Sequence, residues 1–98
     1  MKLYQLLNTM EISLENLRRQ SLNYPNSREF KKFLSWKEDD LRSFKRLVGN
    51  FRDDAFVPDV VNWLKDHKVD YKYFGMTQRP EGYFQVTKKL QKALDAGL

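Results

Sequence analysis

Apolar residues recur at alternating steps of three and four through most of residues 2–67 and again over 87–96. That period commits the chain to helices that pack through one stripe each. In the first segment Leu3, Leu7, Met10, Leu14 and Leu17 share a stripe, while Leu6 and Ile12 lie beside or away from it. Glu11, Glu15, Arg18 and Arg19 fill the solvated positions, with Glu15 and Arg19 at a favourable spacing. The stripe lasts barely two heptads, too short for a coiled-coil seam, so ordinary packing within a domain is expected. Tyr24-Pro25 stops this helix, because proline disfavours the α conformation of the residue before it.

Asn26 is placed to cap the next helix, with Glu29 three residues on as its reciprocal partner. Phe30, Phe33 and Leu34 face one side there. Ser35-Trp36-Lys37-Glu38 reads as a second capping box, with Asp39 and Asp40 suiting the amide-rich end of a new helix. A break at Ser35 is therefore expected, the alternative being one long helix with Ser35 inside it. Leu41, Phe44, Leu47 and Val48 continue the apolar face, and Gly49-Asn50 ends it. Residues 50–57 read as a loop. Pro58 then suits a first helical turn, followed by Val60, Val61 and Leu64 inside, with Trp63 at the border.

After His67 the period changes. Val69, Tyr71 and Tyr73 alternate with Asp70, Lys72 and Phe74, the pattern of a half-buried strand. Gly75 to Gly82 reads as a long turn and Tyr83 to Val86 as the returning strand. Thr87 then caps a last helix bearing Leu90, Ala93 and Leu94, which Gly97 closes. The expected fold is a mainly α single domain over residues 1–98, with four to five helices and a short C-terminal β-hairpin. Its expected core is Leu3, Leu7, Leu14, Leu17, Phe30, Leu34, Leu41, Phe44, Leu47, Val61, Leu64 and Leu90.

Composition narrows the chemistry. The 98 residues include no cysteine and a single histidine, so neither a disulfide frame nor a thiol nucleophile is available. One histidine with carboxylates alone makes a poor zinc site, and His67 suits the C-terminal end of a helix. All four glycines stand isolated, so no phosphate-cradling loop exists, and no Gly-x-Ser-x-Gly elbow occurs. The doublets Asp39-Asp40 and Asp53-Asp54 point in different directions if helical and do not by themselves make a shared site. No enzyme activity, catalytic residue, metal or cofactor is expected. No stretch approaches the roughly 20 apolar residues of a membrane span, and no secretory h-region opens the chain, so a cytoplasmic protein without membrane contact is expected.

The formal charge of +5 is unevenly spread. Residues 31–52 carry seven basic side chains against three acidic ones, residues 53–70 two against five, and residues 71–98 five against two. Aromatics interleave with the basic segments. Lys31, Lys32, Trp36, Lys45, Arg46 and Arg52 form one candidate binding set, and Lys72, Arg79, Tyr83, Lys88 and Lys89 a second around the expected hairpin. Such groups neutralise phosphates and stack on bases. Trp, Tyr, Phe and Arg are equally the residues that anchor protein interfaces.

Residues 58–94 read helix, strand, loop, strand, helix, and Gly82-Tyr83-Phe84-Gln85-Val86-Thr87-Lys88-Lys89 resembles the end of a winged-helix domain. There a strand leaves the wing and a Thr-capped helix follows. The resemblance covers about the last third of the chain and rests on common residue types. It departs where residues 58–67, as recognition helix, bring Asp59 and Asp66 to phosphates, and where the 50–57 loop exceeds the tight turn of a helix-turn-helix.

The leading expectation is a small non-enzymatic regulatory binding protein of inhibitor or adaptor type. Its partner would be another protein or a nucleoprotein complex. The alternative is a nucleic-acid-binding protein, a winged-helix-like DNA binder or an RNA binder, using surfaces 31–52 and 71–89. The Leu3–Leu17 stripe adds a second copy of the chain as a candidate partner.

Overall fold

Among residues 1–97, which the computed structural model describes, the chain forms six helices and no strand. They are α1 (Leu3–Ser21), α2 (Arg28–Leu47), α3 (Val57–Asp66), α4 (Lys72–Gln78), α5 (Pro80–Tyr83) and α6 (Lys88–Asp95). Helices α1 and α2 run antiparallel, and two ion pairs fix their register: Lys45 with Glu11 near one end, and Arg18 with Glu38 at 3.4 Å near the other. Beneath this seam Leu14, Leu17, Leu41 and Phe44 are all buried.

The N-terminus of α1 has no side-chain cap, and the chain meets its unpaired amides another way. The loop before α3 runs antiparallel to the first residues. The amides of Leu3 and Tyr4 donate to the carbonyls of Ala55 and Asp53 at 2.8 and 2.9 Å, and Val57 N–H donates to Met1 at 3.0 Å. Within α1, Leu6 is fully buried and Leu7 only partly. The stripe expected to begin 3, 7, 10 begins 3, 6, 10 instead. Of the stripe offered above as a surface for a second copy, Leu3, Met10, Leu14 and Leu17 are packed inside the chain's own core, and Leu7 is partly buried against it.

The expected break at Ser35 is absent, and α2 runs through it for 20 residues. Phe30, Phe33, Leu41, Phe44 and Val48 keep one helical phase across Ser35, so a break would turn half of that stripe away from α1. An exposed serine within a helix costs at most about 0.7 kcal/mol, well below the burial at stake. The phase also selects Phe33 and Val48 for the core, where Leu34 and Leu47 were expected, and Val60 in α3 where Val61 was expected. The cap of α2 is Ser27, one residue after the expected Asn26. Its buried hydroxyl accepts from Phe30 N–H at 3.1 Å.

The expected hairpin does not form. Tyr71 and Tyr73 would share one face of a strand, yet Tyr71 is 85% exposed and Tyr73 is buried. Burial follows Tyr73, Met76 and Thr77, the three- and four-residue steps of α4. Gly75 lies within this helix, where an added Cβ would meet the Tyr83 ring at an ordinary 3.9 Å. Pro80 then opens α5, Phe84 is buried, and Thr87 caps α6 by accepting from Leu90 N–H at 3.1 Å. With helices in place of the wing, the winged-helix topology is not this fold.

Helix α3 ends in a Schellman motif. Val69 N–H reaches the Leu64 carbonyl at 3.0 Å and Lys68 N–H reaches that of Lys65 at 3.1 Å. Lys68 sits at φ +51°, the left-handed conformation this motif requires and that glycine adopts without strain. Lys68→Gly is therefore expected to stabilise the protein by about 1 kcal/mol in urea unfolding, since a non-glycine residue there costs roughly 1–2 kcal/mol. Ser27→Ala should destabilise by about 1 kcal/mol through loss of the cap, whereas Asn26→Ala should change little. Equal effects at 26 and 27 would show that the cap is misassigned.

Candidate groove between α2 and α6

Helix α6 lies against the middle of α2, leaving an open groove of about 670 Å³ between them. Phe33, Leu90 and Ala93 give it an apolar lining, with Trp36 on one wall. Trp36 is 56% exposed although its helix is anchored by four buried aromatic and aliphatic residues, Phe30, Phe33, Leu41 and Phe44. Its indole is therefore a rigidly mounted apolar surface open to solvent.

Through Lys37 and Asp40 the groove adjoins a polar cluster that links three helices. Tyr83 O–H donates to Asp40 at 2.5 Å, and Lys72 Nζ approaches the other oxygen of Asp40 at 3.4 Å. Lys37 Nζ stands over the Tyr83 ring, 3.7 Å from its centroid, and 5.1 Å from that of Phe33. Burial holds the Lys37 ammonium below the ordinary lysine range, with Asp40 pulling weakly the other way. Burial first, then the hydrogen bond to Asp40, raises the Tyr83 phenol above its ordinary value of 10.0, so it stays a donor at physiological pH.

Charge around the groove is partly satisfied from within. Asp39 pairs with Arg42 at 2.9 Å, and Asp40 is held by Lys72 and Tyr83. Lys32 lies over the Trp36 ring at 5.3 Å. Among the described residues, Lys32, Lys37 and Lys89 line the groove without a carboxylate at ion-pair distance.

The structure gathers only part of the residues singled out in the sequence. Lys32, Trp36 and Lys89 meet at the groove, with Tyr83 and Lys72 in the adjoining polar cluster. Lys45 is engaged by Glu11 on the far half of α2, Arg52 lies 3.8 Å from Asp54 in a loop, and Arg79 joins α4 to α5. Lys31, Arg46 and Lys88 are exposed outside the groove lining. Of the aromatics in the two basic segments, only Trp36 and Tyr71 stand exposed, because Phe30, Phe33, Phe44, Tyr73 and Phe84 are buried. Sequence reasoning missed Phe33, Lys37 and Asp40 as site residues. Their signal was the spacing 33, 36, 37, 40, which forms a single face once α2 is continuous.

His67 caps the C-terminus of α3, stacked on Trp63 at 4.1 Å between centroids, and its Nδ1 lies 2.8 Å from the Trp63 carbonyl oxygen. Among the described residues no three His, Cys, Asp or Glu side chains converge as metal ligands. No helix there is long and apolar enough to cross a membrane. Comparison with protein-family models, with curated proteins and with solved structures finds no match.

The Tyr83–Asp40 bond gives a testable pH dependence. Tyr83→Phe is expected to cost about 1 kcal/mol near pH 7, as loss of one partly exposed hydrogen bond. Because the folded phenol has the higher pKa, its contribution is full below about pH 10 and fades as pH rises beyond that. Urea unfolding of the parent and Tyr83→Phe from pH 7 to 11 should show their difference narrowing only above pH 10. A difference unchanged to pH 11 would refute the bond's assigned role.

Proposed function

We propose that this chain is a small non-enzymatic binding protein of adaptor or inhibitor type that holds another protein in the α2–α6 groove. The observation that carries this reading is Trp36, a large aromatic fixed on a rigid helix and left exposed beside an apolar cleft. Exposed apolar surface of this kind, rimmed by charge, marks interaction sites, and tryptophan is prominent among interface anchors.

Direct nucleic-acid binding is the weaker reading. Phosphate recognition favours a continuous basic surface, but here Lys45, Lys72 and Arg52 pair with Glu11, Asp40 and Asp54. Base stacking needs open aromatic faces, and of the aromatics in both basic segments only Trp36 and Tyr71 are exposed.

The test compares retention of partners from a lysate of the native cells, with and without nuclease treatment, by the parent chain, Trp36→Ala, Ala93→Glu and the double variant Lys31→Glu/Arg46→Glu. A protein partner held by the parent and by the charge variant, and lost at least tenfold with Trp36→Ala and Ala93→Glu, is the expected outcome. Retention of nucleic acid alone, abolished by Lys31→Glu/Arg46→Glu and untouched by Trp36→Ala, would replace this function with the nucleic-acid one.

A further inference from the structure

The groove has a length, a backbone environment and a charge, and together they specify its occupant. Helix α6 has eight residues and spans about 12 Å, so the cleft beside it admits roughly two turns of a helix. An extended segment laid there would find only the few first-turn amides of α2 and α6, too few for a ladder, because the rest of both walls is helix bonded internally. A helical segment satisfies its own backbone and needs only to present side chains. Two apolar side chains at i and i+3 or i+4 would meet Phe33, Trp36, Leu90 and Ala93.

The charge is more selective. Lys37 is held in the groove wall against Phe33 and Tyr83, where its ammonium gains aromatic faces but no carboxylate. Of the three acids that line the groove, Asp40 is engaged by Tyr83 O–H and Lys72 and Asp39 by Arg42, while Glu29, two turns of α2 before Lys37, has no cation at ion-pair distance. Lys32 and Lys89 flank the same cleft. A ligand carboxylate arriving beside Lys37 would complete a charge-assisted pair in a partly desolvated setting, where such pairs contribute most. Beside Lys37, a ligand lysine or arginine would meet like charge.

Resting on the groove reading above, we infer that the partner segment is a short amphipathic helix of another protein whose apolar anchors are flanked by Asp or Glu, with one carboxylate paired to Lys37. Specificity then divides between two features. Trp36 and the apolar lining retain the anchors, and Lys37 selects the acidic flank over neutral or basic ones.

A random 12-residue peptide library selected against the full chain tests this. The chain carries Trp63→Phe, which leaves Trp36 as its single tryptophan. The expected peptides place Asp or Glu three or four positions from Leu, Ile, Phe or Trp, shift Trp36 fluorescence, and are blocked by Ala93→Glu. In a synthetic copy of such a peptide, Glu→Gln should weaken binding about tenfold, and that difference should vanish against Lys37→Met but persist against Lys31→Met. The peptide substitution leaves the protein untouched, so the result stands even if Lys37→Met folds poorly. Peptides that shift Trp36 yet show a neutral or basic pattern, or bind equally after Glu→Gln, would overturn the acidic-helix inference and leave the groove standing. Selected peptides that neither move Trp36 nor respond to Ala93→Glu would overturn both.

Discussion

The unbroken course of α2 is the constraint on which the remaining structure depends. One side of this helix, through Phe30, Leu41 and Phe44, closes the core with α1. Another, through Phe33, Trp36, Lys37 and Asp40, forms a wall of the groove and receives α6 and the Tyr83 corner. The two sides keep a fixed angular relation only because the helix runs through Ser35. Phe33 stands where they meet, 9% exposed, as both core residue and groove lining. A hinge at Ser35 would decouple Trp36 from the Phe30 anchor, and the exposed indole would lose its fixed mounting.

Long-range polar contacts hold this helix in place at points local sequence rules do not reveal. Glu11, Glu38 and Asp40 each bind a cation at least twenty positions away, and Asp40 also accepts from Tyr83. Exposed ion pairs contribute little individually, but pairs at both ends of an antiparallel helix couple exclude a sliding of one helix along the other. The backbone strap between residues 1–4 and 53–57 acts similarly on α1. It satisfies amides that a capping side chain would otherwise meet, and it ties the chain's start to the entry of α3. Together these contacts orient three helices around one core without a sheet.

Much of the helical content was legible because a period of 3.6 residues is a local property. Leu3, Leu14, Leu17, Phe30, Leu41, Phe44 and Leu90 are buried where the spacing placed them, and Pro58, Thr87 and Gly97 occupy the helix ends expected of them. What failed were competitions between local signals. Ser35 offered a capping box, yet stripe phase across it prevailed. Tyr71 and Tyr73 offered strand alternation over only a few residues, too short to outweigh the helical set Tyr73, Met76, Thr77 once Phe84 and Met76 entered the core. Gly75 and Pro80 looked like turn residues but lie within α4 and at the start of α5. At the candidate site, Trp36 and Tyr83 could be nominated by residue type. Lys37 and Asp40 could not, since their significance comes from meeting Tyr83 across forty-odd positions of sequence.

Lys37 is the residue on which the proposed reading of the groove as a binding surface turns. A half-buried ammonium without a carboxylate is a poor device for holding a fold together, because removal from water penalises its charged form. Its two aromatic faces offset part of that penalty and fix where the charge points. Asp40, three residues along the same helix, would be the obvious partner, but Tyr83 and Lys72 draw its carboxylate away. The fold thus keeps one positive charge beside an open apolar cleft with no carboxylate at ion-pair distance. A partner that brings a carboxylate together with apolar anchors completes both halves of the site at once, whereas a purely apolar one would bury Lys37 further and leave it unpaired.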